Sequence, residues 1–119
     1  MKELFRQIFA IVPNQNGYGY FMQTEEMYNN ESTGEYLILK FLKYEDIDAY
    51  DVEFYYVKKE NWKETWKKVN SFYVSSLKAL VFTDWRDIVL REINRVKTYG
   101  PVSIWDFLGQ MLMCVEKRK

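Results

Sequence analysis

Three strand-like runs follow one another closely along the chain, and their spacing constrains the fold more than any other feature. The runs span residues 18–28, 35–43 and 50–58, and short turn-rich or acidic segments at 29–34 and 44–49 join them. A parallel pair of strands needs a crossover connection of about a dozen residues or more, which neither segment provides. Strands this close in sequence most simply pair with their neighbours. We therefore expect a three-stranded antiparallel meander.

The third run has the alternation of a strand with one buried face and one wet face. One side carries Val52, Phe54 and Tyr56, and the other carries Asp51, Glu53 and Tyr55.

The segment before the strands and the segment after them show helical periodicity. Residues 2–12 place large apolar side chains on one face at about 3.6 residues per turn, and Pro13 ends the pattern. Downstream, Asn61 with Glu64 fits a capping box at the start of an apolar stripe over residues 62–81. Both segments are predicted to be amphipathic helices.

Two further helices are predicted toward the C-terminus. Thr83 and Asp84 open the first, and Gly100 with Pro101 ends it. The second begins at Ser103 and carries an apolar stripe as far as Val115.

Grouping the strands before most of the helices indicates an α+β fold rather than an alternating α/β fold. The predicted architecture is an N-terminal helix, a three-stranded antiparallel meander, and three C-terminal helices packed on one sheet face. Residues 1–119 are expected to form one compact domain, since a chain of this length buries enough surface for a core.

The composition favours binding over catalysis. The chain has no histidine, the commonest general base and zinc ligand, and one cysteine, Cys114. We therefore expect no catalytic residues, no metal and no cofactor. The single cysteine agrees with a reducing cytoplasm and is expected to be a buried apolar side chain. No stretch approaches the ~20 apolar residues of a membrane span, so no membrane partner is expected.

The zero net charge hides two halves of opposite sign. Residues 1–58 carry 5 basic and 10 acidic side chains, whereas residues 59–119 carry 12 basic and 7 acidic ones. Such asymmetry creates surfaces that favour different partners. Self-association of the acidic half with the basic half is one possible consequence, and it would give rings or filaments.

The sharpest candidate site is an acidic segment interleaved with tyrosines. Clustered carboxylates steer encounter with a basic surface, and tyrosine rings supply rigid contact area. We interpret the segment as the contact of a small inhibitor or adaptor that binds a larger protein with a basic surface, such as a nuclease, toxin or defence enzyme of a bacterium or phage. A solvated strand edge kept charged against aggregation is the alternative. The candidate residues are Tyr44, Glu45, Asp46, Asp48, Tyr50, Asp51, Glu53 and Tyr55.

Nucleic-acid binding is the alternative function. Lysines repeat every four residues from 59 to 67, and arginine and asparagine side chains, which read base edges, share one face of the following helix. The close succession of the two predicted helices allows a helix-turn-helix interpretation. The pI of about 6.3 is low for such a domain, so this function ranks second. The candidate residues are Lys63, Lys67, Arg91, Asn94 and Arg95.

Overall fold

The protein contains a five-stranded antiparallel sheet with helices on both of its faces. A computed structural model describes residues 1–117, with side chains as far as Leu112, so the side chain of Cys114 lies outside the described residues. The strand order is β2-β1-β3-β4-β5. The elements are β1 (Lys2–Asn14), β2 (Gly17–Gln23), α1 (Glu25–Asn29), β3 (Gly34–Lys43), β4 (Tyr50–Glu60), β5 (Lys63–Val74), α2 (Leu77–Phe82), α3 (Trp85–Tyr99) and α4 (Ile104–Lys117).

The predicted N-terminal helix over residues 2–12 is wrong, because this segment is strand β1. Ile8, Phe9 and Ala10 are consecutive and all buried, with Phe9 packing on one face of the sheet and the other two on the opposite face. A strand covered on both faces has a continuous apolar run, and periodicity alone does not distinguish such a run from a helix. Strand β1 lies between β2 and β3, so the first two predicted strands do not pair, and helix α1 occupies the end of the predicted run 18–28. The predicted three-stranded meander is therefore wrong.

The predicted helix over residues 62–81 is also wrong, because β5 occupies most of it and the short helix α2 follows. A β-bulge lies at Val69, where the register shifts between the Phe54–Asn70 and Tyr55–Lys68 pairs. The bulge moves later apolar side chains of β5 to the opposite face from Trp66. Apolar residues on the two sides of this shift fall three or four positions apart, which imitates a helical stripe.

The turn between β4 and β5 explains why the capping-box interpretation fails. Asn61 has a φ of 48° and Trp62 a φ of 71°, and Glu60 pairs with Lys63 across them. Two consecutive residues with positive φ form the type I′ turn that joins tight hairpins. Asn61 is therefore the first turn residue of a hairpin and does not cap a helix.

Helices α2 and α3 cover one face of the sheet, which we call the helical face. Leu80 of α2 and the buried stripe Val89, Ile93 and Val96 of α3 pack against side chains from β1, β3, β4 and β5. Ser76 caps α2 through its side-chain oxygen, which accepts a hydrogen bond from the backbone N–H of Ala79. The main apolar core lies between these helices and the sheet.

The opposite face, the outer face, is covered at one end by α1 and the loop after it. Thr24 caps this short helix, and Tyr28 packs with Ile8, Ile38 and Val57 in a second apolar cluster. The side chain of Lys59 is buried there and donates hydrogen bonds to the backbone carbonyls of Tyr28 and Glu31. The other end of the outer face is open.

Helix α4 does not join the layer on the helical face. Phe107 packs against Tyr99, with ring centroids 4.8 Å apart, while Trp105 is 77% exposed. The prediction of three C-terminal helices packed on one sheet face is therefore wrong for this helix. None of the helices within residues 1–117 is long and apolar enough to cross a membrane.

Candidate protein-binding surface

The open end of the outer face combines aromatic rings with charged side chains from three neighbouring strands. Antiparallel register places Lys40 of β3 beside Glu53 of β4, and Tyr55 of β4 beside Lys68 of β5. We call this surface the open outer face. Its members are Lys40, Tyr44, Asp51, Glu53, Tyr55, Trp66, Lys68 and Tyr73.

A cation and two rings form the centre of the open outer face. The Lys40 Nζ lies 4.9 Å from the centroid of the Tyr55 ring and 5.2 Å from that of the Trp66 ring. The two rings meet edge to face at 5.5 Å. Cation–π and edge-to-face contacts hold these side chains in place, so a partner would meet a preorganised aromatic surface.

Glu53 connects this centre to the edge strand. Its Oε2 accepts a hydrogen bond from Lys68 Nζ at 2.7 Å, and its Oε1 accepts one from the Tyr55 hydroxyl at 3.0 Å. Burial alone would raise the pKa of Glu53, but the hydrogen bonds from Lys68 and Tyr55 outweigh it and the pKa is lowered. Burial, together with the bond to Glu53, raises the pKa of Tyr55 to about 12. Glu53 is therefore a carboxylate whose charge is balanced locally.

Tyr44 and Tyr73 form the end of the surface nearest the acidic loop. Their rings meet at 5.8 Å, and the Tyr44 hydroxyl donates a hydrogen bond to Asp51 Oδ2 at 2.9 Å. This bond raises the pKa of Tyr44. Tyr73 is 62% exposed, which makes it the most accessible ring of this end.

The loop between β3 and β4 carries the remaining acidic candidates, and they have different roles. Glu45 and Asp46 are exposed, and Asp46 has a φ of 66°. Asp48 accepts a hydrogen bond from the backbone N–H of Leu77 at 3.0 Å, which holds the loop against the start of α2. Within the described side chains, no ion pair involves Glu45, Asp46, Asp48 or Asp51. The loop therefore leaves net negative charge beside the open outer face.

Tyr50 is separated from the other candidates because it points to the helical face. It is buried in the main core, and burial together with a bond to Asp48 raises its pKa. The structure thus brings seven of the eight candidates to the open outer face or the adjoining loop and places Tyr50 beneath them.

The five candidate nucleic-acid residues do not share one surface. Lys63 and Lys67 lie on strand β5 and are exposed, and Arg91 is exposed on α3. Asn94 exchanges hydrogen bonds with the backbone of Tyr18: its Oδ1 accepts from the N–H at 3.1 Å, and its Nδ2 donates to the carbonyl at 3.2 Å.

Arg95 is also held by the fold. Its guanidinium pairs with Glu92 at 2.7 Å and donates to the carbonyl of Val69 at 2.8 Å and to that of Val102 at 3.0 Å. Because Val69 is the bulge residue, Arg95 satisfies a carbonyl near the break in the β5 ladder.

Sequence reasoning missed four members of the open outer face, namely Lys40, Trp66, Lys68 and Tyr73. Three of them lie on β5, a segment whose sequence predicts a helix, so their register against β4 could not be predicted. The Asn61 turn between two runs of charged and aromatic residues was the available signal for a hairpin.

Comparison with protein-family models, with curated proteins and with solved structures finds no match for this chain. No group of three or more potential ligands within the described side chains is placed to hold a metal ion.

Proposed function

We propose that the chain is a non-catalytic protein-binding module, a stoichiometric inhibitor or adaptor, that docks on a basic surface of a larger protein. The contact is the open outer face together with the loop residues Glu45 and Asp46. A nuclease, toxin or defence enzyme of the cytoplasm is the partner class that fits this chemistry best.

One observation supports this proposal above the others. A preorganised group of half-buried rings lies at the open end of the outer face, beside a loop whose carboxylates have no ion-pair partner among the described residues. Tyrosine and tryptophan are enriched in protein interfaces, and uncompensated charge at the rim accelerates encounter with an oppositely charged surface. Nucleic acid is the less favoured partner, because Asn94 and Arg95 already bind backbone groups of their own chain.

Charge variants that keep the fold test the proposal. Glu45→Lys with Asp46→Asn removes the loop charge, and asparagine is chosen because it tolerates the positive φ at residue 46. Glu25→Lys with Glu26→Gln makes the same change in net charge on α1, at the covered end of the outer face, and serves as the matched control.

The measurement is recovery of a stoichiometric protein partner from host lysate, with and without nuclease treatment. We expect the loop variant to recover about tenfold less of the partner than the wild type. The α1 control and the nuclease treatment are expected to leave recovery unchanged. Equal recovery by both variants would refute the acidic contact. Loss of the partner in nuclease-treated lysate would instead assign function to nucleic-acid binding.

A further inference from the structure

The N-terminal half of β1 is a sheet edge that no described strand covers. Strand β2 pairs with β1 from Ile8 to Asn14 and ends at Gln23, where the chain turns onto the outer face. Residues Lys2–Gln7 pair with β3 on one side and have no strand on the other. Such an edge presents unpaired backbone donors and acceptors to a further strand.

An apolar groove lies on the helical face of this same edge. It has a volume of about 400 Å³ and lies between β1, the end of β2 and helix α2. Leu4 and Phe5 form its strand side, and Leu77 and Val81 form its helix side. Val81 is 67% exposed. Exposed apolar side chains gathered in one groove are typical of an interaction site.

A β-bulge places the apolar side chains of the edge on one face of the sheet and the charged side chains on the other. The register shifts between Glu3 and Phe5, so Leu4 is an extra residue, and both Leu4 and Phe5 line the groove. Glu3 lies opposite Leu42 and Arg6 opposite Lys40, which puts both charges on the outer face. They form an ion pair at 3.1 Å. The edge is therefore apolar on one face and carries one charge of each sign on the other.

We propose that a second copy of this chain occupies the edge, with the two β1 segments antiparallel about a two-fold axis between Leu4 and Phe5. Each Glu3 then lies opposite Arg6 of the other copy, and each Leu4 lies opposite Phe5. A two-fold contact requires such self-complementarity, since the same patch meets itself. The pairing joins the two sheets and brings the two apolar grooves together. The contact uses the edge of β1 and not the acidic loop of the proposed function, although Arg6 of this edge lies beside Lys40 of the open outer face.

Strand β5, the edge at the far end of the sheet, does not meet these conditions. Strand β5 carries Lys63, Lys67 and Lys68, all exposed, so two copies paired along it would bring lysines together. The Arg95 side chain also donates a hydrogen bond to the backbone carbonyl of Val69 on this strand. Charged edges of this type resist edge-to-edge pairing.

A charge-exchange experiment on the full-length chain tests the proposal by sedimentation equilibrium. We expect the wild type to dimerise, and Glu3→Arg and Arg6→Glu, each alone, to raise the dimer dissociation constant about tenfold. An equimolar mixture of the two variants restores dimerisation, because one copy supplies arginines and the other supplies glutamates. Each variant lacks the Glu3–Arg6 ion pair within the chain, alone or in the mixture, so recovery on mixing reports the contact between copies.

Two further variants separate this edge from the other exposed apolar element. Val81→Ser, on the helix side of the groove, is expected to weaken the dimer, and Trp105→Ser on α4 is expected to leave it unchanged. A monomer at every concentration, no recovery in the mixture, or a dimer that depends on Trp105 and not on Val81 would each overturn the proposal.

Discussion

Asn94 shows at the residue scale how one amide holds a helix against a strand. It bonds both backbone groups of Tyr18 on β2, and its Nδ2 also donates to the carbonyl of Leu90 one turn earlier on α3. Gly17 has a φ of 129°, and a Cβ there would lie 2.8 Å from Asn94 Oδ1. The close approach of α3 to β2 therefore depends on a glycine and an asparagine together.

Asn94→Ala is expected to lower the free energy of unfolding by about 1–3 kcal/mol, because it leaves half-buried backbone groups of Tyr18 without partners. Arg91→Ala, at an exposed position of the same helix, is the control and is expected to change stability by less than about 0.5 kcal/mol. Urea unfolding followed by circular dichroism measures both. Equal stability of the two variants would contradict the structural role of Asn94.

At the element scale, the β4–β5 hairpin decides the fold of the C-terminal half. Its turn requires left-handed backbone at Trp62, a conformation that costs a bulky residue about 1–2 kcal/mol. Glycine removes this cost, but it lowers the stability by about 0.5–1 kcal/mol because it gives the unfolded chain more conformational freedom. The balance favours glycine, which is the usual second residue of a type I′ turn.

Trp62→Gly is therefore expected to stabilise the protein by up to about 1 kcal/mol. Trp62→Val is the matched variant, and it is expected to destabilise the protein because a β-branched side chain resists positive φ. Thermal unfolding of the three proteins, followed by far-ultraviolet circular dichroism, provides the measurement. A lower midpoint for Trp62→Gly than for the wild type would show that Trp62 contributes more through packing than it costs in backbone strain.

The same elements show how much of the fold the sequence predicts. Strand β4 follows from its alternation, and α3 begins directly after Thr83 and Asp84, where its apolar stripe predicts a helix. Strands β1 and β5 did not follow, because burial on both faces and a bulge at Val69 each imitate helical spacing. The acidic loop is recognisable from its composition, whereas its partners Lys40 and Trp66 depend on the register of those strands.

At the scale of the whole molecule, two carboxylates with lowered pKa values form ion pairs that connect a strand to a helix and a strand to a strand. Burial alone would raise the pKa of Glu35, but hydrogen bonds from Lys97 and Tyr56 lower it below its usual 4.5. Glu35 joins β3 to α3 through Lys97 at 2.7 Å, and Glu53 joins β4 to β5 through Lys68 at 2.7 Å. Both acids favour the folded state while they are ionised.

Lowering the pH below 4.5 is therefore expected to destabilise the protein. The contribution of the two acids is fully present above pH 4.5 and is lost as the pH falls through their lowered folded-state pKa values. The double variant Glu35→Gln with Glu53→Gln is expected to be less stable than the wild type at pH 7. It is also expected to lose less stability than the wild type when the pH is lowered. Urea unfolding at a series of pH values tests this, and an acid-induced loss as large as that of the wild type would argue against it.

Protein binding at the open outer face is the central claim at the scale of the whole molecule. Hydrogen–deuterium exchange of the chain with and without its captured partner tests it most directly. We expect protection of backbone amides in residues 44–55 and 66–73, with α1 and α4 unchanged, because these segments carry the open outer face and its acidic loop. Protection confined to α3 and α4, or absent from 44–55, would contradict the account.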